Sequence, residues 1–382
     1  MQSSRRSAID PFIVMDVMEA ARRAEDGGRV VIHMEVGQPS TPAPEAARAA
    51  LAAAMEAGPL GYTVALGLPE LREKIAALYG RWYGVTVDPG RVVVTAGASG
   101  AFLLAFTALF DVGQRVGLAA SGYPSYRKIL SAMSLDPVAI RGEAAHGFQP
   151  QPADVAGLDG LIVASPANPT GTMLGKDDLS ALAAACEAEG CALISDEIYH
   201  GLSYDARCVS ALEVTDAVYV VNSFSKYFSM TGWRVGWMVV PEDHVRVVER
   251  LAQNMFICPP HASQVAALAA LDAQSELDGH LATYRANRAL LLEGLSAAGL
   301  KIISPADGAF YIYLDVSDVT QDSVALAADI LAQAGVAVTP GLDFDAERGH
   351  QTLRLRYARS TADIKEGLAR LTGFFAGLKA TT

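Results

Sequence analysis

Four stretches of this chain share one pattern: a short apolar, largely β-branched run that ends in a cluster of small or polar residues. In "RVVVTAGASG" the run Val92–Val94 gives way to a small-residue turn. In "LIVASPANPTG" Leu161–Val163 leads to Ser165, Asn168 and a proline–glycine turn. "CALISDEIYH" carries Leu193–Ile194 into Asp196 and Tyr199, and "AVYVVNSFSK" carries Val218–Val221 into Ser223 and Lys226. Continuous apolar runs of this length are typical of strands buried on both faces. Helical patterns alternate with them, and strands alternating with helices imply an α/β fold with a mostly parallel sheet flanked by helices. Ligands bind such sheets beyond the carboxyl ends of the strands. The four clusters are therefore expected to converge on one site.

With 382 residues the chain exceeds what one compact core usually holds. From about residue 285 the pattern changes. The helical "ATYRANRALLLEGLSAAG" leads to two strand-like runs, "GAFYIYLDVS" and "TLRLRYA", on either side of the helical "SVALAADILAQAG". The expected division is a large domain over 41–285 and a smaller α+β domain over 286–382, with segment 1–40 packing against the smaller one.

Composition narrows the functional classes. The chain is 51% hydrophobic and 19% charged, which is globular rather than disordered. A net charge of -12 argues against nucleic-acid or anionic-membrane binding, so any anion recognition must be local. The most apolar stretch, "AFLLAFTALF", is about half the length of a membrane span, and no signal-peptide pattern follows "MQSSRRSAID". A soluble cytoplasmic protein is expected. The four cysteines lack CxxC spacing and clustered histidines, so neither a disulfide framework nor a metal site is expected. Cys186 shares a helical face with Leu179 and Leu182, the pattern of a small core residue. No GxGxxG is present. "GTMLGKDD" is one residue too short between its glycines for a P-loop, and Asp177 stands where Ser or Thr is needed.

The clusters themselves suggest a ligand. Ala98, Ser99 and Gly100 open an apolar helix, where free N–H groups and the helix dipole favour a phosphate; a tight helix cap is the plainer alternative. Ser223, Ser225 and Arg234 could add donors, Arg234 with the planar fork suited to a phosphate or as half of a buried ion pair. Asp196 follows a buried strand, where a carboxylate needs a partner. Tyr199 and Asn168 offer a phenol and an amide. Tyr123 could lie flat on an aromatic ligand or simply pack beside its proline. Lys226 sits between serines and aromatics, away from other charges. A phosphate cup, carboxylate, phenol, amide, stacking ring and lysine together complement pyridoxal 5'-phosphate.

Along nearly its whole length the chain also resembles the class I/II aminotransferases, pyridoxal-phosphate enzymes of fold type I. "VGQP", "GYTVALGLPELREKIA", "TAGASGA", "SGYPSY", "SPANPTGT", "SDEIYHGLSY", "NSFSKYFSMTGWRVGW", "DGAFYIYLDVS" and "LRLRYA" occur in that family's order. The resemblance implies Lys226 as the Schiff-base lysine and Asp196 as the partner of the pyridine nitrogen. It implies Tyr199 and Asn168 on the ring oxygen, Tyr123 stacked on the ring, and Ala98, Ser99, Ser223 and Arg234 on the phosphate. Ser225 would support Arg234. Tyr62 would reach the phosphate of the neighbouring subunit of a homodimer. Arg354 would clamp the substrate carboxylate, with Gly37 close by. The family usually has a small residue two places after that arginine; here Arg356 stands there, and alternation along a strand turns it to the same side as Arg354.

The activity so implied is ping-pong transfer of an amino group from an amino acid to a 2-oxo acid. "GASGA" contains no cation for a second substrate carboxylate, and "DPFIVMDV" and "NMFICPPHAS" are largely apolar. A neutral, apolar or aromatic amino acid is the expected donor. A pyridoxal-phosphate C–S β-lyase would use the same lysine, aspartate and phosphate cup. A regulatory protein that binds the cofactor with little turnover is the reading from another class.

Overall fold

The computed structural model describes residues 2–381. A short first strand, β1 (Ile32–His33), precedes seven strands that form the main sheet. These are β2 (Val92–Thr95), β3 (Arg115–Ala119), β4 (Asp136–Ile140), β5 (Gly160–Ala164), β6 (Ala192–Asp196), β7 (Val218–Ser223) and β8 (Gly236–Val239), in the spatial order β2-β8-β7-β6-β5-β3-β4. The pairs from β7 through β4 are parallel, and β8 runs antiparallel to both β7 and β2. Because β2 and β7 both oppose β8, they point the same way. The carboxyl ends of β2, β5, β6 and β7 therefore lie along one edge, and the fold is the α/β, mostly parallel arrangement that the sequence predicts.

The central strands are buried on both faces, and successive residues serve opposite cores. Leu161, Val163, Leu193, Val218 and Val220 pack on one side, together with Leu179, Leu182 and Cys186 of the helix Lys176–Glu189. Ile162, Ile194, Tyr219 and Val221 pack on the other, with Phe102 and Phe106 of the helix Gly97–Leu109. Filling both faces with apolar side chains leaves the strand ends as the place where polar groups can gather.

The last third of the chain adds β9 (Lys301–Ile302), β10 (Tyr311–Asp315), β11 (Val336–Ala337), β12 (Thr339–Pro340) and β13 (Thr352–Arg356). Four of these form an antiparallel sheet in the order β12-β13-β10-β9, while β11 pairs in parallel with β1. Residue 285, where the sequence pattern changes, lies inside the continuous helix Gln274–Ala297. The N-terminal helix Ile13–Asp26 has no capping side chain of its own. Its first N–H groups, of Ile13 and Val14, donate to the Asp343 carboxylate at 3.2 Å. Lys128 joins the same clasp, donating to the Pro11 carbonyl at 2.6 Å and lying 3.8 Å from Asp343.

Candidate active site

A cavity of about 280 Å³ opens at the shared edge of the main sheet. It is lined by Gly37, Ala98, Ser99, Tyr123, Asn168, Asp196, Tyr199, Ser225, Lys226, Arg234 and Arg354. Polar clusters from four separate strands and an arginine from the second sheet thus meet around one space. Phe12, Val14, Met15, Val36 and Ile129 supply an apolar wall. Phe12 reaches it through the clasp at Asp343 and Lys128, and its ring meets Tyr123 edge-on at 6.1 Å.

Asp196 ends β6 and is 3% exposed. Its carboxylate accepts a hydrogen bond from the Ile198 N–H at 3.0 Å and another from the hydroxyl of Tyr126. Burial outweighs these donors and pushes its pKa up to about 6. Directly behind it, Glu197 is fully buried and accepts from the Ala211 N–H at 2.7 Å and from Ser210 Oγ. Burial raises this carboxyl to about 8. His200 completes the turn: its Nε2 lies 2.8 Å from the Ser165 carbonyl and its Nδ1 2.6 Å from the Tyr83 hydroxyl. Burial lowers the imidazole to about 3, so the ring is neutral and Nε2 can donate to that carbonyl while Nδ1 accepts from the phenol.

Lys226 donates to the Gly37 carbonyl at 2.5 Å, with its Nζ 5.7 Å from the centre of the Tyr199 ring. Burial lowers its pKa to about 7, and the like charge of Arg354 adds to this, against the attraction of Asp196. The amine is therefore partly neutral near physiological pH, the state needed for a nucleophile or base.

At the other end of the cavity the helix Gly97–Leu109 begins after Ala96 without any side-chain cap. Its first N–H groups thus lack the usual partner, beside Ser99, Ser225 and the exposed guanidinium of Arg234. Gly97 has φ +71°, and a Cβ there would fall 2.4 Å from Arg234 Nη2, so only glycine lets the helix start and the guanidinium close into one cradle. The serine expected on the phosphate, Ser223, is not the one that lines the cavity. Ser225 lines the cavity, whereas Ser223 Oγ turns away, donating to Ser225 Oγ at 2.9 Å or to the Val235 carbonyl at 3.1 Å. Tyr62 lies outside the cavity wall and is 82% exposed.

Arg354, on β13, is 3% exposed. Its guanidinium is held between two rings, 4.3 Å from the centre of Tyr311 and 4.5 Å from that of Phe344. It donates to Asn168 Oδ1 at 2.9 Å, the Glu35 carbonyl at 2.5 Å and Thr339 Oγ1 at 3.2 Å, while its buried Nε has no acceptor. None of these acceptors is a carboxylate. Arg356 faces the same side of the strand, as alternation requires, but ends against main chain: it donates to the carbonyls of His33, at 2.8 Å, and of Gln38. It fastens the segment leading to Gly37. Tyr126 and Tyr311 are not singled out by the sequence, although Tyr126 stands three residues after Tyr123, the residue that caps its helix, and Tyr311 alternates with Tyr313 on β10.

Comparison with known proteins bears on this geometry. The family model for aminotransferase class I and II matches residues 29–371. The chain belongs to the class I and II aminotransferase family. This is a family of pyridoxal-phosphate-dependent enzymes of fold type I, so the enzyme is a transaminase. A valine–pyruvate aminotransferase of Mycobacterium tuberculosis is 49% identical over 96% of each chain. A protein of Silicibacter pomeroyi with a solved structure is 64% identical, with TM-score 0.94 and full coverage of both chains. The aspartate aminotransferase of Thermus thermophilus, solved with maleate, is 33% identical with TM-score 0.91, covering 97% of this chain and 99% of the other.

Proposed function

We propose that this transaminase takes its amino group from a neutral, apolar amino acid and passes it to a 2-oxo acid in a ping-pong reaction with pyridoxal 5'-phosphate. The observation that carries the reading is Arg354: a buried cation with no carboxylate partner, facing the same cavity as a lysine amine whose pKa lies near neutrality. A cation so placed is incomplete until an anion arrives.

The residues present fit the cofactor. The uncapped helix start, Ser99, Ser225 and Arg234 would hold its phosphate, in a cradle that a Cβ at Gly97 would fill. Asp196, ionised by the approach of a positive ring nitrogen, would keep that nitrogen protonated; Tyr199 and Asn168 would hold the ring oxygen, and Tyr123 would face the ring. When bound, the cofactor supplies an electron sink and carries the amino group between substrates. Lys226 would hold the cofactor covalently until the substrate amine displaces it. The freed amine would take the proton from the substrate α-carbon and return it one position away, a role suited to its lowered pKa. Arg354 would fix the substrate carboxylate with two parallel hydrogen bonds.

The cations lining the cavity are Lys226, Arg234 and Arg354, and the reading assigns each of them a partner. A second substrate carboxylate would find none left, while Phe12, Val14, Met15 and Val36 offer apolar contact. The valine–pyruvate activity of the Mycobacterium relative agrees with that wall.

The same reading makes the enzyme a homodimer with Tyr62 lent to the neighbouring site. Exposed Met55, Tyr62, Val64, Met255 and Ile257 belong to two segments joined by a hydrogen bond between His261 and the Gly61 carbonyl at 2.8 Å. It also treats 41–285 and 286–382 as large and small domains, with 1–40 joined to the latter, supported by the β1–β11 pairing.

A half-reaction tests the function. Cofactor-loaded protein is mixed with single amino acids, and loss of the yellow colour is followed together with release of 2-oxo acid and ammonia. Valine and its apolar analogues should bleach the protein with one equivalent of 2-oxo acid and no ammonia. Continuous release of ammonia would assign a lyase, and no bleaching with any amino acid would assign a binding protein. Mixing Lys226→Ala with Tyr62→Phe subunits tests the shared site, since about a quarter of sites in random dimers would then be intact.

A further inference from the structure

We propose that Tyr311 is a positioning residue that links the carboxylate-binding Arg354 to the phenol of Tyr199, so that the two ends of the substrate site respond to each other. The inference rests on the function proposed above. Tyr311 is fully buried and lines the cavity. Its hydroxyl lies 2.8 Å from that of Tyr199, and its ring face carries the guanidinium of Arg354 at 4.3 Å. The register explains the contact: Tyr311 pairs with Arg356 and Tyr313 with Arg354 on adjacent antiparallel strands, so Arg354 is the diagonal neighbour of Tyr311 on the same face.

A ring that only filled core space would need no hydroxyl here, since a phenylalanine occupies nearly the same volume. The backbone makes room for this hydroxyl as well. A Cβ at Gly37 would lie 2.3 Å from it, and the Gly37 carbonyl is the acceptor of Lys226. Proton counting then fixes a direction. Each phenol has one proton. If Tyr199 donates into the cavity, the hydrogen bond between the two phenols must be donated by Tyr311. The positive charge of Arg354 against the ring of Tyr311 makes that phenol the better donor, and linked hydrogen bonds strengthen one another. The line Arg354, Tyr311, Tyr199 then reaches the group that Tyr199 holds. A carboxylate bound to Arg354 neutralises its charge, weakens donation by Tyr311, and leaves the acceptor of Tyr199 more basic.

The test uses the cofactor-loaded enzyme and four forms of it: wild type, Tyr311→Phe, Tyr199→Phe and the double variant. The first readout is the pH midpoint of the visible absorption of the bound cofactor. Losing a donor leaves the ring oxygen more basic, so the midpoint should rise in Tyr199→Phe. In Tyr311→Phe it should rise by about half a pH unit, the scale of one net hydrogen bond. The double variant should match Tyr199→Phe alone, because the Tyr311 hydroxyl acts through Tyr199, while the contact of Arg354 with Asn168 is common to all four forms. The second readout separates KM from kcat: Tyr311→Phe keeps the ring under Arg354, so KM for the amino acid should change less than about twofold while kcat falls about threefold. An unchanged midpoint in Tyr311→Phe overturns the proposal, as does a shift that adds in full to that of Tyr199→Phe. A wild-type protein with no visible band when loaded would instead remove the reading of the site, and the relay with it.

Discussion

Replacing Arg354 with methionine separates what the guanidinium does for the substrate from what it does for the pocket. Methionine fills the slot between Tyr311 and Phe344 without charge. If Arg354 binds the substrate carboxylate with two charge-assisted hydrogen bonds, losing both costs about 3–4 kcal/mol, allowing for non-additivity. That is a fall of roughly 10²–10³ in kcat/KM for valine. The assay is a single-turnover half-reaction followed by cofactor absorption, with isobutylamine alongside valine. The amine has the same side chain and no carboxylate, so its rate should stay within about threefold of wild type. A second consequence concerns Lys226. Arg354 is the foremost neighbouring charge holding that amine down, after burial itself. Its loss should let the amine's pKa rise and move the ascending limb of the pH–rate profile to higher pH. Folding stability should change little, because removing a buried cation without a carboxylate partner offsets the donors lost by Asn168 Oδ1, the Glu35 carbonyl and Thr339 Oγ1. Equal losses for valine and isobutylamine would refute the reasoning, since Arg354 would then act through the cofactor or the fold.

Four further outcomes are expected. In the cofactor-free protein the Asp196 carboxyl is raised from 3.8 to about 6, so the folded state holds this proton more tightly than the unfolded one. Its contribution to stability is fully present below pH 4 and is lost as pH rises to about 6, by up to roughly 3 kcal/mol; Asp196→Asn should remove that slope from urea-unfolding midpoints measured across the window. Gly97→Ala should cost about 1–2 kcal/mol for the left-handed backbone and push Arg234 out of the phosphate cradle, seen as weaker cofactor binding in a spectrophotometric titration. Gly100→Ala should be tolerated, since a Cβ there meets its neighbour at an ordinary 3.5 Å. Asp343→Ala should remove the acceptor for the Ile13 and Val14 N–H groups, at about 1 kcal/mol; faster hydrogen exchange over 13–17 and a higher KM for apolar amino acids would report the loosened wall.

The sequence carries the site wherever a strand delivers a residue directly. Asp196, Lys226 and Asn168 each follow a run of buried β-branched residues, and parallel pairing places such ends together. Residues that arrive by other routes are silent in the pattern. Tyr126 reaches Asp196 from the first turn of a helix, where its spacing from Tyr123 reads as ordinary core. Tyr311 meets Arg354 through the register of two strands about forty residues apart, and register is not written in either strand alone. The resemblance puts Ser223 on the phosphate and Ser225 behind it, whereas Ser225 lines the cavity and Ser223 donates to Ser225 or to the Val235 carbonyl. Phe12 and Val14 reach the cavity only because Asp343, some 330 residues later, caps their helix.

Between His33 and Gln38 the chain offers its main-chain oxygens to four cations: Lys226 at Gly37, Arg354 at Glu35, Arg356 at His33 and Gln38, and Arg359 at His33. No codon change deletes a carbonyl. Met34 and Glu35 are buried and Tyr311 leaves no room at position 37, but a change at exposed Gln38 leaves the mouth of the pocket electrically balanced along this stretch. Its length has no such freedom, for adding or removing one residue would swing every one of those oxygens off its cation at once.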